Sequence, residues 1–351
     1  MTATAQTPFT AFLERVHPSI EDVVRKALPK PMAEGEAVRR DLDRYLYEPL
    51  ARLVLAGGKR IRPALCLLGS SAVGGKESDA LDVACAVELF QAAALIHDDI
   101  ADQSELRRGV PCLHVSDGVG IAVNAGDVGV VDVVWRGLRA TWGRDLDPPR
   151  RSRLFDELYA MERRTLEGQA LDLGWVRDGR WDLTESDYLT MATLKTAHYS
   201  AAIPLAMGSL CGGGSEEQTE ALRAFGLAAG LAFQIQDDLL NLVGDAAAQG
   251  KDFRSDITEG KRTFVMVRAL RQLGETDAAE LRGILSAHAT DEAELARAVE
   301  LADEAGAIDY AHDHALRLAA DAKEGLAQVD ITDEAREVLL SMADFFVSRT
   351  S

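Results

Sequence analysis

The chain has 351 residues, is 47% hydrophobic and carries a net charge of −19, from 57 acidic and 38 basic residues. That length and apolar fraction allow a large core, in one domain or two. The charge excludes ordinary nucleic-acid binding, which needs basic faces to neutralise phosphates, and it excludes a basic membrane-surface patch. An anionic substrate must therefore be held by a few focused cations or by metal ions.

Cys66, Cys85, Cys112 and Cys211 are scattered without a CxxC. This reads as a reducing compartment and no structural zinc. The N-terminal stretch carries Glu14 and Glu21 and lacks the apolar centre of a secretory signal. No stretch approaches the ~20 uninterrupted apolar residues of a membrane span. A cytoplasmic protein without a membrane span is expected.

Nearly every segment reads as helix. The N-terminal residues 1–10 are expected to fray. Breaks fall at Gly57-Gly58 and Gly74-Gly75, before the Ala- and Leu-rich run "DALDVACAVELFQAAALIHDD". "VGIAVNAGDVGVVDVVW" is the one ambiguous stretch, and its helical surroundings predict helix. "FDELYAMERRTLEGQALDL" follows Pro148-Pro149. "TEALRAFGLAAGLAFQIQDDLLNLV" lies between the breaks at Gly212–Gly214 and Gly244–Gly250. Two further amphipathic runs start at cap-like Thr290-Asp291 and Thr332-Asp333. The helices ending at Asp98 and Asp237 are apolar on nearly all faces, as helices in the middle of a bundle are. Without a Pro/Ser-rich linker, residues 1–351 read as a single all-α domain.

Both of those helices end in paired aspartates. Asp98 and Asp102 are four residues apart and share a helical face, with Asp99 beside them. Like charges at that spacing destabilise a helix. A hard divalent cation would relieve the repulsion, and Mg²⁺ suits one or two carboxylates plus phosphate or water oxygens. Asp237, Asp238 and Asn241 form a second cluster. Two such clusters facing each other across a cavity would hold metal ions bridged by a diphosphate. Either cluster alone is equally a solvated helix end. Zinc does not fit, because no HExxH-like pair or Cys/His cluster exists.

Basic residues sit close to these features. "GGKRIRP" places Lys59, Arg60 and Arg62 behind two glycines, which allow close approach of phosphate to backbone. Arg107 and Arg108 follow the first acidic cluster. Lys251, Lys261 and Arg262 follow the second, and Lys195-Thr196 lies between. Each alone could be a solvated surface charge. Neither a Walker loop nor a dinucleotide fingerprint is present.

Taken in order, "GGKRIRP", "LIHDDIADQSELRRGVPCLH", "AGD", "EGQALDL", "LKTA", "FQIQDDLLN" and "GK…SD…EGKRT" resemble the trans-isoprenyl diphosphate synthase (polyprenyl synthetase) family. The resemblance implies an all-α isoprenoid synthase fold, a helical bundle around a deep cavity, usually as a homodimer. It implies Mg²⁺-dependent head-to-tail condensation of an allylic diphosphate with isopentenyl diphosphate, with three ions bound alongside substrate. By resemblance, Asp98 and Asp102 bind metal with Asp99 in support, and Asp237 binds the remaining metal with Asp238 nearby. Arg107, Lys195, Thr196, Gln234, Lys251 and Lys261 contact the allylic diphosphate. Lys59, Arg62, Arg108 and Gln91 hold isopentenyl diphosphate. Asp98, Asp99, Asp102, Lys195 and Asp237 carry the chemistry.

Three positions depart from the family pattern. Asn241 stands where a third aspartate is usual, Gln91 where a histidine is common, and Cys112 where a threonine is usual. The resemblance also implies that residues four and five before Asp98 set product length. Here these are Ala94 and Ala93, so the floor is open and Phe90 is the next candidate stop. That implies geranylgeranyl diphosphate or a longer product. Two other readings remain. A class I terpene cyclase shares the first motif, but the NDxxSxxxE pattern is missing. A non-catalytic subunit of a heteromeric synthase commonly loses an acidic motif, and here the first is intact.

Overall fold

The computed structural model describes residues 6–142, 146–244 and 253–349. Its helices are α1 Pro8–Ala27, α2 Glu36–Leu42, α3 Glu48–Leu55, α4 Ile61–Ala72, α5 Leu81–Ala101, α6 Leu113–Ser116, α7 Val119–Trp142, α8 Pro148–Arg177, α9 Glu185–Ala192, α10 Ile203–Gly212 and α11 Glu216–Val243. After residue 252 come α12 Ser255–Thr258, α13 Phe264–Gln272, α14 Glu275–Ser286, α15 Glu292–Glu304, α16 Ala307–Gly325 and α17 Asp333–Ser348. Wider π-type turns occupy Asp43–Tyr47 and Thr193–Ala202. The sole β-structure among the described residues is a two-residue antiparallel ladder, β1 Leu106–Arg107 with β2 Val110–Pro111. The protein is all-α, as the sequence predicts, and the ambiguous stretch forms α7.

The chain divides into two compact units. Unit 1 comprises Met1–Ala160, Ile203–Leu222 and Asp330–Val338, and unit 2 comprises Met161–Ala202, Arg223–Val329 and Leu339–Ser351.

In unit 1, α5 is the central helix, and twelve of its residues are buried. Glycines on α7 let it approach α5 closely. A Cβ placed on Gly129 would stand 3.0 Å from the Ala93 Cβ, and one on Gly126 would overlap the His97 ring. Close helix contact therefore depends on the missing side chains. The same device joins α4 to α10, where a Cβ on Gly208 would lie 2.0 Å from the Cys66 carbonyl oxygen.

In unit 2, the π-type turn Thr193–Ala202 is backed from two directions. Gly168 of α8 meets the Lys195 backbone, and Gly226 and Gly230 of α11 meet Ala197, Ala201 and Ala202. π-type turns are often found at functional sites, and this one carries Lys195 and Thr196.

Helix starts follow their sequence signals. The Asp291 carboxylate accepts from the Ala293 and Glu294 amides, and the Thr332 hydroxyl accepts from the Ala335 amide. Four expectations need correction. Thr7 caps α1 and Phe9 is fully buried, so fraying does not extend through residue 10. By composition and length, Glu77–Ala101 could cross a membrane, but 67% of its most apolar window is buried inside the protein. Its Glu88 is ion-paired there to Arg60, as suits a core helix. α11 does not end at Asp237 but continues to Val243, so Asp237 and Asp238 lie inside the helix. Finally, Ala93 does not stand on an open wall, because it packs against Gly129.

Candidate active site

The "GGKRIRP" segment in unit 1 is a turn between α3 and α4 whose glycines adopt φ of +88° and +142°. A side chain on Gly58 would also press on the Arg108 guanidinium, 3.3 Å away. Arg108 donates to the Gly57 carbonyl and, at 3.4 Å, to that of Leu53. The fold therefore brings Arg108 onto the turn that carries Lys59 and Arg62, about fifty residues earlier in the chain. Lys59 is exposed and Arg62 half-buried.

Arg60 has a different role. Its side chain is 1% exposed, it occupies the left-handed region, and it bonds Glu21 (2.6 Å), Glu88 and the Val54 carbonyl (2.6 Å). It ties α1, α3 and α5 together under the turn. Arg60, left-handed just before α4, thus turns inward as an anchor, while Lys59 and Arg62 stay more open. Burial, followed by the neighbouring charges of Arg60, Arg107 and Arg62, lowers the Arg108 pKa, against the pull of Glu88.

On α5, Gln91, Ala94 and Asp98 fall on adjacent positions of one side, whereas Ala93 points about 140° away from Asp98. Asp98 and Asp102 are half-buried, and the Asp102 amide closes the helix on the Asp98 carbonyl at 2.8 Å. Asp99 is buried and accepts from Arg107, with its Nε at 2.9 Å. Arg107, expected on a substrate diphosphate, is here the partner of an aspartate. Phe90 is buried within α5.

Unit 2 holds a cavity of about 230 Å³ lined by Asp172, Lys195, Thr196, Gln234, Asp237, Asp238, Asn241, Asp256 and Lys261, among others. These include every unit 2 site residue expected from the sequence except Lys251, which lies outside the described residues. The acids have individual counterparts. Lys195 Nζ donates to Asp172 at 2.6 Å. Lys261 pairs with Glu259 and lies 3.6 Å from Asp256. Asp238 is buried and accepts from the Tyr188 hydroxyl (2.6 Å) and Gln234 Nε2 (2.8 Å). Burial, then the nearby charge of Asp256, pushes its pKa up to about 7. Asp237 is 41% exposed and pairs with Arg349. The two neighbouring aspartates thus differ in kind: Asp238 supports its surroundings, and Asp237 offers oxygen atoms to the cavity.

Asn241 earns its place structurally. Its amide donates to Ser255 Oγ and accepts from the Asp256 amide, both at 3.1 Å, fastening α12 to α11. Asp172 and Asp256 were not singled out in the sequence, although both fall inside quoted motifs. Tyr188 and Arg349 carried no local signal.

Among the described residues, no three His, Cys, Asp or Glu side chains converge as a ready-made metal cage. Carboxylates offered singly or in pairs are instead the donor set that Mg²⁺ takes when phosphate and water oxygens supply the rest. Asp98, Asp102 and Asp237 fit that ion.

An all-α scaffold that gathers Arg108 onto the glycine turn beside Lys59 and Arg62, and carries two aspartate clusters, has the features of a class of diphosphate-handling proteins. The Polyprenyl synthetase family matches residues 43–302, and the chain belongs to that family. A short chain isoprenyl diphosphate synthase of Methanothermobacter thermautotrophicus is 40% identical over 94% of this chain and 98% of its own. The structure of geranylgeranyl pyrophosphate synthetase from Pyrococcus horikoshii Ot3 aligns with TM-score 0.85 and 31% identity, over 97% of this chain and 98% of its own. Geranylgeranyl pyrophosphate synthase from Corynebacterium glutamicum, solved with isoprenyl diphosphate and magnesium, aligns with TM-score 0.80 and 30% identity, over 97% and 96%.

Gly168 offers a direct test of how the cavity is positioned. A methyl group there would lie 2.2 Å from the Lys195 amide nitrogen. Overpacking of this kind costs about 1–3 kcal/mol, and the backbone carrying Lys195 must move. Gly168→Ala is expected to lower turnover at least tenfold while the helical circular dichroism spectrum is retained. Full activity would show that the Lys195 position is not critical.

Proposed function

We propose that the protein is a trans-prenyltransferase that condenses an allylic diphosphate with isopentenyl diphosphate, releasing diphosphate and extending the chain by one isoprene unit. The observation that carries this reading is that Arg108 is held on the Gly57–Gly58 turn beside Lys59 and Arg62, which would make a second anion site. A cyclase handles one diphosphate and has no use for it. Both acidic clusters are also supplied with metal-fitting carboxylates, which a purely supporting subunit does not need.

Each unit contributes a defined part. In unit 1, Asp98 and Asp102 present oxygens for Mg²⁺, and Lys59, Arg62, Arg108 and Gln91 hold isopentenyl diphosphate. In unit 2, Asp237 presents oxygens for Mg²⁺, and Lys195, Thr196, Gln234 and Lys261 bind the allylic diphosphate. Mg²⁺ supplies Lewis-acid neutralisation of the leaving diphosphate. Lys195 and Lys261 add positive charge where negative charge develops as the allylic C–O bond breaks. The apolar body of α5 keeps water from the resulting cation. The isopentenyl double bond forms the new C–C bond, and the proton then lost passes to the released diphosphate. No side chain of the set is needed as base. The two units act as one catalytic domain in this proposal, in the cytoplasm, whose reducing conditions suit four buried cysteines. The deciding assay is product formation from an allylic primer with and without isopentenyl diphosphate. Product in its absence would overturn the reading.

A homodimer is part of the proposal. α7 exposes Val119, Val123, Val131, Val134 and Trp135, an apolar stripe at helical spacing that a second copy of the chain would cover. Sedimentation at micromolar concentration is expected to give the dimer mass, and a monomer would refute it.

The anion-site assignment separates the substrates. Arg62→Ala is expected to raise KM for isopentenyl diphosphate at least tenfold and that for the allylic primer less than threefold. Equal effects would contradict it.

Product length follows from the side of α5 that each residue occupies. With only alanine at 94, on the Asp98 side, the product is geranylgeranyl diphosphate or longer. Ala94→Tyr, on the Asp98 side, is expected to shorten the product toward farnesyl diphosphate in chromatography of the dephosphorylated prenols. Ala93→Tyr is expected instead to lower the melting temperature, since its ring would enter the contact with Gly129. An unchanged product from Ala94→Tyr would remove α5 from the length-setting role.

A further inference from the structure

Arg349 lies at the C-terminal end of α17, 112 residues from Asp237 in sequence, and one face of α11 is shaped around it. Its guanidinium carbon lies 4.0 Å from the centre of the Phe233 ring. Its Nη2 donates to the Phe233 carbonyl at 3.2 Å and also to Asp237 Oδ1. The Gln236 amide donates to the Arg349 carbonyl at 3.3 Å, and Phe346 packs on Phe233 with ring centres 4.8 Å apart. Phe233, Gln236 and Asp237 occupy positions i, i+3 and i+4 of one helix face. The arginine side chain is 11% exposed.

Two details separate this from an ordinary structural ion pair. Asp237 belongs to the second acidic cluster and lines the unit 2 cavity, so the carboxylate that Arg349 holds is the one read as a metal ligand. The arginine is also incompletely satisfied, because its buried Nε has no hydrogen-bond partner. A fully bonded buried arginine would be costly to move, whereas this one forgoes less. A guanidinium and a divalent cation brought to one carboxylate repel each other through their like charges.

We propose that Arg349 is a built-in counter-cation for Asp237 that gives way when a divalent cation binds there, coupling metal occupancy to the C-terminal turn of α17. The inference rests on the reading of Asp237 as a metal ligand. Without metal, Arg349 neutralises a carboxylate that sits among other acids. With metal, that role passes to the ion, and the arginine and the turn carrying it are released. A competitor at the site weakens apparent affinity by the fraction of time it is bound. The coupling is reciprocal, so metal must loosen Arg349 to the extent that Arg349 opposes metal.

The test uses the full chain with Mg²⁺ and inorganic pyrophosphate, followed by thermal shift and hydrogen exchange rather than turnover alone. Arg349→Gln is expected to reach its half-maximal Mg²⁺-dependent thermal shift at a Mg²⁺ concentration at least threefold lower than wild type, although the metal-free variant melts lower. A merely structural arginine would lower the melting temperature and leave the Mg²⁺ midpoint unmoved, which would overturn the proposal. In wild type, amide exchange over residues 342–349 is expected to speed up when Mg²⁺ and pyrophosphate are added. Slower or unchanged exchange would overturn it, and this measurement decides even where Arg349→Gln does not fold. Asp237→Asn separates the two layers. A raised Mg²⁺ midpoint in Asp237→Asn with no change in Arg349→Gln sinks the inference alone. An unchanged midpoint in Asp237→Asn sinks the metal-ligand reading and the inference with it.

Discussion

Neutralisation of carboxylates is the constraint on which the rest depends. A chain with a net charge of −19 that handles diphosphates must keep its acids from repelling both the substrate and one another. It does so pair by pair. Asp99 has Arg107, Asp172 has Lys195, Asp237 has Arg349, and Asp238 has the Tyr188 and Gln234 donors. Removing one partner of such a buried pair leaves the other uncompensated, which is why the sites hold together as units.

Glycine and alanine position these pairs by letting backbones approach. Gly168 brings α8 against Lys195, which sets Asp172, one turn further on, within 2.6 Å of the amine. Gly58 makes room for Arg108 beside the turn carrying Lys59 and Arg62. Gly129 takes Ala93 into a helix contact and leaves the Asp98 side of α5 to other residues. Close packing tolerates little added volume at such contacts. Electrostatics at the sites is therefore fixed by packing behind them.

Burial also assigns different work to chemically identical neighbours. Arg60 is an anchor and Arg62 is not, because Glu21, Glu88 and the Val54 carbonyl converge on one of them. Asp238 is buried among donors and its pKa rises, while Asp237 is partly open and meets a cation. A buried carboxylate without full charge compensation tends toward its neutral form. That makes Asp238 a support for Tyr188, Gln234 and the start of α13, and leaves Asp237 the more open of the two carboxylates.

The helices, their caps at Asp291 and Thr332, the paired aspartates and the glycine-flanked cations were legible in the sequence, because each depends on spacing along one segment. So was membership of the family, since its motifs are local and ordered. The division of roles within those motifs was not. Which helix Ala93 packs against, whether Arg60 or Arg62 turns inward, and which aspartate carries Arg349 depend on what distant segments bring to each residue. Those neighbours come from distant parts of the chain: Gly129 for Ala93, Glu21 and Glu88 for Arg60, and Arg349 for Asp237. Periodicity fixes where a side chain lies on its own helix. Only tertiary packing decides what it meets there, and with it whether a charge is an anchor, a support or a ligand.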